Sequence, residues 1–350
     1  MEKNQESGLT GLVNLGNTCF INSCLSVLSH TYELNNLLDK NKQYKSLLSK
    51  KQSPELDNSN MLLLTAWDDL RKIMWKTNCI VKPVKFVNTI QAVIKHQKLD
   101  GFEAFGQNDI SEFFTFLING FHSALSRKTI MTINGTVDND TDKLAVQCLG
   151  KIKEIYSNDY SEILAIFSAM QATRLVSMEN TVMSVIPEPF FTIHLSIPEN
   201  IPKPTLLDCF DLYVEDELLE NENAWFNENT NTKESVKRGV VFWSLPTIMT
   251  IDIKRVNAMN QKIKTLVSYP LDNLNLSKFV KGYASDSSVY ELFGICNHSG
   301  TPEHGHYYAF VKSCNSKWYL FNDHAVSEVR NPSELITENA YFLIYRKKYG

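Results

Sequence analysis

The chain has 350 residues, 43% of them hydrophobic, which is ample to bury the core of one large domain or two subdomains. A formal net charge of -4 and a pI of about 6.1 give no electrostatic reason to expect nucleic acid or an acidic membrane as partner. No run approaches the roughly 18 apolar residues of a membrane span, and the start is too polar for a secretory leader. The seven cysteines are scattered with no C-x-x-C pair, so they are expected to be reduced thiols in an intracellular protein, cytoplasmic or nuclear.

In chain order, the first third reads as helical. Phe20, Ile21, Cys24, Leu25 and Leu28 recur at helical spacing between Thr18 and His30, with Asn17 or Thr18 as N-cap. "MLLLTAWDDLRKIMWK" predicts a second helix, and "DISEFFTFLINGFHSAL" a third with a broad apolar face. Residues 127–143 read as a polar connection. After about residue 180 the chain becomes rich in Ile, Val, Phe, Tyr and Thr between turn signals. "PFFTIHLSI", "VVFWSLPTIMTIDIKRV", "YELFGICNHSG", "HYYAFVKSC", "WYLFND" and "AYFLIYRKK" predict strands of an antiparallel sheet. The acidic, Asn-rich "VEDELLENENAWFNENTNTKES" reads as an exposed tip or mobile loop.

The segment "GLVNLGNTCF", Gly11 to Phe20, admits three readings. A phosphate loop fails, because Asn17 and Thr18 stand where Lys and Ser or Thr must follow Gly16, and no predicted strand runs into the loop. A plain helix cap is the simpler reading. A nucleophile is the sharper one: Cys19 falls in the first turn, where free N–H groups and the helix dipole are expected to lower a thiol pKa.

A nucleophilic cysteine needs a histidine base and a polar group to orient it. His30 and His122 fall on predicted helices and His194 in an apolar strand, where packing or structural roles are expected. His306 ends a glycine-flanked loop and opens a strand. A hairpin turning near Asn315 returns Asn322 or Asp323 to its side. A metal set from His298, His304, His306 and His324 lacks carboxylates at helical ligand spacing. Cys24, deeper on the apolar face, is expected to be an inert core thiol.

These segments resemble the boxes of the ubiquitin-specific proteases, a family of papain-like cysteine deubiquitinases. "GLVNLGNTCFINSCLSVL" is similar to that family's Cys box and "GHYYAFV...WYLFNDHAVSEV" to its His box. "GQNDISEFFTFLINGFH", "SLPTIMTIDIKRV", "SVIPEPFFTIHLSI" and "AYFLIYRK" resemble further family segments, all in family order. The resemblance implies an α+β, papain-like right-hand architecture: a helical thumb, an antiparallel β palm and β fingers. It implies one catalytic domain at 8–347 after a polar tail at 1–7. The thumb covers about 8–125, the fingers and part of the palm about 165–260, and the His-box palm about 261–347.

Carried residue by residue, the resemblance implies Cys19 as nucleophile, His306 as base, Asn322 as its orienting partner with Asp323 sharing that role, and Asn14 as oxyanion donor. It implies Gln107, Asp109, Gly305 and Tyr307 as substrate-binding residues, although the family's Gln-Asp pair becomes Asn108-Asp109 and Val256 replaces a usual Phe. Many members hold zinc in the fingers with two C-x-x-C pairs. Here those positions fall on Ser177 and Asn180 and near Asn227 and Thr230, so no metal or other cofactor is expected. The implied function is hydrolysis of the bond after the C-terminal glycine of ubiquitin by a monomer. The implied partners are ubiquitin and ubiquitinated proteins, with no nucleic acid and no membrane. A ubiquitin-binding scaffold of little or no activity, or a protease for another ubiquitin-like modifier, would share most of these features.

Overall fold

A computed structural model describes residues 7–41, 44–46, 58–99, 106 and 108–348. Strand β1 (Gly11–Leu12) leads to helices α1 (Cys19–Ser29), α2 (Tyr32–Lys40) and α3 (Asn58–Lys76). Then come β2 (Ile80–Val81), α4 (Val84–Gln97) and α5 (Ile110–Leu125). The two-residue β1 pairs in parallel with β2, so a short strand does run into the Gly11–Gly16 loop, contrary to the sequence expectation. Two residues carry no periodicity from which to read it.

All eleven residues of α1 are buried, the polar face included. The helix runs between the helical layer and the main sheet, so its serines bond inward: Ser26 Oγ donates to Asn22 O at 2.8 Å and Ser29 Oγ to Ser26 O at 2.9 Å. The core around it joins Leu25 and Leu28 to Leu63, Trp67, Phe113 and Phe121 of the helical layer.

The expected polar connection at 127–143 is irregular only to Asn139. There α6 (Asp140–Asn158) begins on a reciprocal cap between Asn139 and Asp142. Its apolar residues, among them Leu144, Cys148 and Ile152, pack against the next strands, and α7 (Glu162–Phe167) follows.

Strands β3 (Ala169–Ser177), β4 (Val182–Phe190) and β5 (Thr192–Ser196) come next, then α8 (Leu206–Val214). The acidic tip is ordered as β6 (Glu217–Leu219), β7 (Trp225–Asn227) and β8 (Thr232–Glu234), which corrects its reading as a loop. Polar side chains hold it locally, which leaves no hydrophobic pattern to read. Asn227 Nδ2 donates to Glu234 Oε1 at 3.0 Å and Thr230 Oγ1 donates to the same oxygen at 2.6 Å.

The rest of the chain forms β9 (Val236–Phe242), β10 (Ile248–Lys254), β11 (Leu274–Asn275), β12 (Val289–Gly300), β13 (Gly305–Lys312), β14 (Trp318–Asn322), β15 (Ala325–Val329) and β16 (Ala340–Lys347). The main sheet has the order β15-β14-β13-β12-β16-β10-β5, with β11 beside β12, and a second sheet has the order β4-β3-β9-β6. "VVFWSLPTIMTIDIKRV" is therefore two strands in two sheets, broken at Leu245-Pro246, where proline offers no ladder donor. Pro187 and Pro189 are tolerated because β4 is an edge. The main sheet is antiparallel except for β5 and β10, which run parallel. Helix α8 and strands β6 to β9 lie between them in sequence and supply the long crossover that a parallel pair needs.

Candidate active site

Cys19 is the first residue of α1, which packs across β13, and the residue is 8% exposed. The backbone N–H groups of Tyr307, Phe20 and Cys19 itself favour its ionised form. Burial outweighs them, and the charge of Asp323 adds to burial, so the thiol is raised above its ordinary value. This corrects the expectation from helix position: the dipole acts, but desolvation dominates.

Antiparallel pairing of β13 with β14 sets Asn322 beside His306. Asn322 Oδ1 lies 2.7 Å from His306 Nε2 and can only accept, so Nε2 carries the proton and Nδ1 keeps a free lone pair. Asp323 turns the chain at φ 51° and brings Oδ2 to 4.0 Å from His306 Nε2.

The carboxylate of Asp323 is clasped from two sides. Asn14 Nδ2 donates to Oδ2 at 3.1 Å, and Asn22 Nδ2 donates to Oδ1 at 2.8 Å and to Leu12 O at 3.2 Å. Leu12 N donates to Asp323 O at 2.9 Å. Gly11 permits this approach, since a Cβ there would lie 2.1 Å from His324 O. Asn14 Oδ1 accepts from Gly16 N, Thr18 N and Thr18 Oγ1 at 3.0–3.2 Å, which fixes the amide and leaves one N–H of Nδ2 uncommitted to Asp323. Thr18 sits at the N-cap without capping through its side chain; its hydroxyl accepts from Leu15 N and holds the loop instead. Five sequence-expected residues, Asn14, Cys19, His306, Asn322 and Asp323, thus lie in one connected group.

Asn22 was not singled out from sequence. It stands three residues past Cys19, on a neighbouring helix position, and a 2% exposed Asn in an apolar helix is the signal that could have found it. Cys24 is buried and its thiol lies well above the ordinary value through burial and neighbouring Cys296.

Tyr307 extends the site toward α5. Its ring is 4.6 Å from that of His298 and 6.3 Å from that of Tyr341. Asp109 caps α5 through Oδ1, accepting from Ser111 N at 2.7 Å and Glu112 N at 3.2 Å, while Oδ2 accepts from the Tyr341 hydroxyl. A Cβ at Gly305 would lie 2.2 Å from His298 Nε2, so glycine there lets the loop close on that ring. Burial, with the charge of Lys262 added, pushes the His298 imidazole down to about 4, and Lys262 Nζ donates to its Nδ1 at 3.2 Å. Gln107 lies outside the described residues.

The remaining histidines take packing or structural places. His30 is wholly buried, and His122 bonds Ser161 Oγ at 2.7 Å. His194 is satisfied by donating through Nδ1 to Asp252 Oδ2 at 2.7 Å, although its side chain is half-exposed.

The finger positions do not fit zinc. Ser177 Oγ accepts from the Glu179 and Thr181 N–H groups at 3.2 Å each, Asn180 forms the turn at φ 64°, and Asn227 and Thr230 both bond Glu234. None offers a thiolate or imidazole. Among the described residues no three His, Cys, Asp or Glu gather as a metal set, and no helix is long and apolar enough to cross a membrane.

Comparison with known proteins gives one consistent answer. The chain is 29% identical to ubiquitin carboxyl-terminal hydrolase 2 of Homo sapiens over 356 residues, covering 99% of this chain and 56% of the relative. It is 27% identical to ubiquitin carboxyl-terminal hydrolase Usp2 of Drosophila melanogaster, covering 98% of this chain and 35% of the relative. The chain therefore spans about half or less of the length of these relatives. Among solved structures, the SAGA DUB module bound to monoubiquitin matches with a TM-score of 0.71 at 21% identity, over 99% of this chain and 70% of that one, a likeness of fold. The family model described as ubiquitin carboxyl-terminal hydrolase matches residues 10–345, and this chain belongs to that family.

Proposed function

We propose that the chain is a cysteine deubiquitinase that hydrolyses the isopeptide or peptide bond after the C-terminal glycine of ubiquitin. The observation that carries the reading is the His306–Asn322 pair at 2.7 Å, its imidazole next in sequence to the Tyr307 N–H that meets the Cys19 thiol. Family membership and the fold shared with a ubiquitin-bound protease module support it.

With burial holding Cys19 as a neutral thiol, His306 acts as a general base rather than as half of a preformed ion pair. Nδ1 takes the thiol proton as sulfur attacks the carbonyl carbon. The oxyanion is met by the second N–H of the Asn14 amide and by the Cys19 N–H. The imidazolium then passes its proton to the leaving lysine amine, leaving a thioester on Cys19. Water, deprotonated by His306, releases the carboxylate and restores the thiol. Asn322 fixes the tautomer; Asp323, 4.0 Å from Nε2, supplies the negative charge that neutral Asn322 lacks. The fingers work without metal, their turns held by the Ser177 and Glu234 hydrogen bonds.

The test is labelling by ubiquitin carrying a C-terminal electrophile, beside the same probe on other ubiquitin-like modifiers. Wild type should form a ubiquitin adduct and Cys19→Ala none. Binding without an adduct would instead indicate a scaffold, and exclusive labelling by another modifier would change the substrate.

A further inference from the structure

The outer face of the helical layer carries a groove that the chemistry above does not use. Helix α3 turns Leu63 and Trp67 into the core, while Leu62, Asp69 and Ile73 face outward beside α4. Two hollows of about 870 and 350 Å³ open between the two helices, and Lys85 lines both, so they meet as one groove. Leu62, Val84 and Val93 line the first and Ile73, Val81 and Phe86 the second; Ala92, small and exposed on α4, leaves the first hollow deep. Leu62, Ile73 and Val84 are half-exposed. Single exposed apolar residues are ordinary, but three along one concavity mark a surface built for contact. Leu62 and Ile73 stand eleven positions apart on α3, about 16 Å or three helical turns. The rim is cationic, for no Asp or Glu occurs from Lys82 to Lys98. Lys85 bonds Asp69 at 2.7 Å across the groove. Lys82, beside the second hollow, and Lys95, one turn from Ala92, have no acidic partner among the described residues.

We propose that the α3–α4 groove docks an acidic amphipathic helix of a partner protein. The length of the groove selects about three helical turns, with apolar residues at i, i+4, i+7 and i+11 meeting the Leu62–Ile73 and Val84–Ala92 walls. The rim selects the charge: Asp or Glu on the flanks of that helix would meet Lys82 and Lys95. A second copy of this chain would bring the same lysines to a twofold contact, like charge against like. A nucleic acid would use the lysines and leave the apolar walls bare. None of the lining residues belongs to the proposed catalytic group, so this is a surface for recruitment and not part of the chemistry.

The experiment measures binding of the full chain to three synthetic peptides of about 18 residues, long enough to hold a helix, by fluorescence anisotropy. The first carries Leu at the four apolar positions and Glu on the flanks. The second keeps the Leu residues with Lys on the flanks, and the third keeps the Glu residues with Gln in place of Leu. The first should bind saturably and the other two at least about tenfold more weakly. Ala92→Glu, which puts a carboxylate into the first hollow, should weaken the first peptide about tenfold. The exposed pair Lys82→Glu with Lys95→Glu should do the same and favour the Lys peptide instead, with the unfolding midpoint unchanged. No saturable binding of the first peptide, equal binding of the second, or binding that neither variant weakens would overturn the proposal. So would a dimer in sedimentation equilibrium that Ala92→Glu dissolves, since a second copy would then fill the groove.

Discussion

Replacing Asn22 by Leu tests the clasp that holds the Asp323 turn of the proposed catalytic group. Leucine has nearly the same volume but cannot donate. The change removes one hydrogen bond to a carboxylate, at 2.8 Å, and one to a carbonyl, at 3.2 Å. The first is worth about 1.5–3 kcal/mol and the second about 1 kcal/mol. Asn22 Oδ1 is itself buried without a partner, so its removal returns about 1 kcal/mol. The net loss is about 1.5–3 kcal/mol, read as a lower urea midpoint at unchanged slope. The Asp323 carboxylate would keep only Asn14 and would be held from one side beside His306, so kcat should fall about tenfold, less than the ~10²-fold that a 1 Å misplacement can cost. An Asn22→Leu protein with both the wild-type midpoint and the wild-type kcat would refute the clasp.

Other measurements probe different parts of the molecule. Because burial and Asp323 raise the Cys19 thiol, its alkylation by iodoacetamide should be slow at neutral pH and climb into the alkaline range; a plateau reached below neutrality would point to a preformed thiolate. His30 is fully buried and pushed down to about 4, so the unfolded chain binds its proton first. Its contribution is present above pH ~6.5 and is lost as pH falls toward about 4, about 3 kcal/mol in all. His30→Gln should flatten that slope, and an unchanged slope would assign it elsewhere. Incubation with a zinc chelator should leave both the unfolding temperature and ubiquitin cleavage unchanged; a drop in either would mean that a metal is bound after all.

The proposed catalytic group was legible because its members sit in local patterns. A thiol opening a helix, a histidine opening a strand and an Asn-Asp pair closing the next strand are each readable in a few residues, and a hairpin needs only a turn signal to bring the last two together. The acidic tip was not legible, since its two-stranded β7-β8 sheet is held by Asn227, Thr230 and Glu234 and buries little apolar surface. α6 could have been read from Leu144, Cys148 and Ile152, but the polar run before it hid its start.

Sequence by itself offered the candidate residues for the chemistry and their order, because periodicity, turns and boxes are local. At the finger positions that the resemblance assigns to zinc ligands it places Ser177, Asn180, Asn227 and Thr230, none of them a thiolate. Only the tertiary structure decided the ionisation of Cys19, since desolvation depends on what packs over the thiol and not on its place in the helix. It alone paired Asn22 with Asp323, 301 positions apart, and His194 with Asp252, 58 apart on parallel strands. A buried polar group draws its meaning from its partner, and the long crossovers that supply such partners leave no trace in any short stretch of the chain.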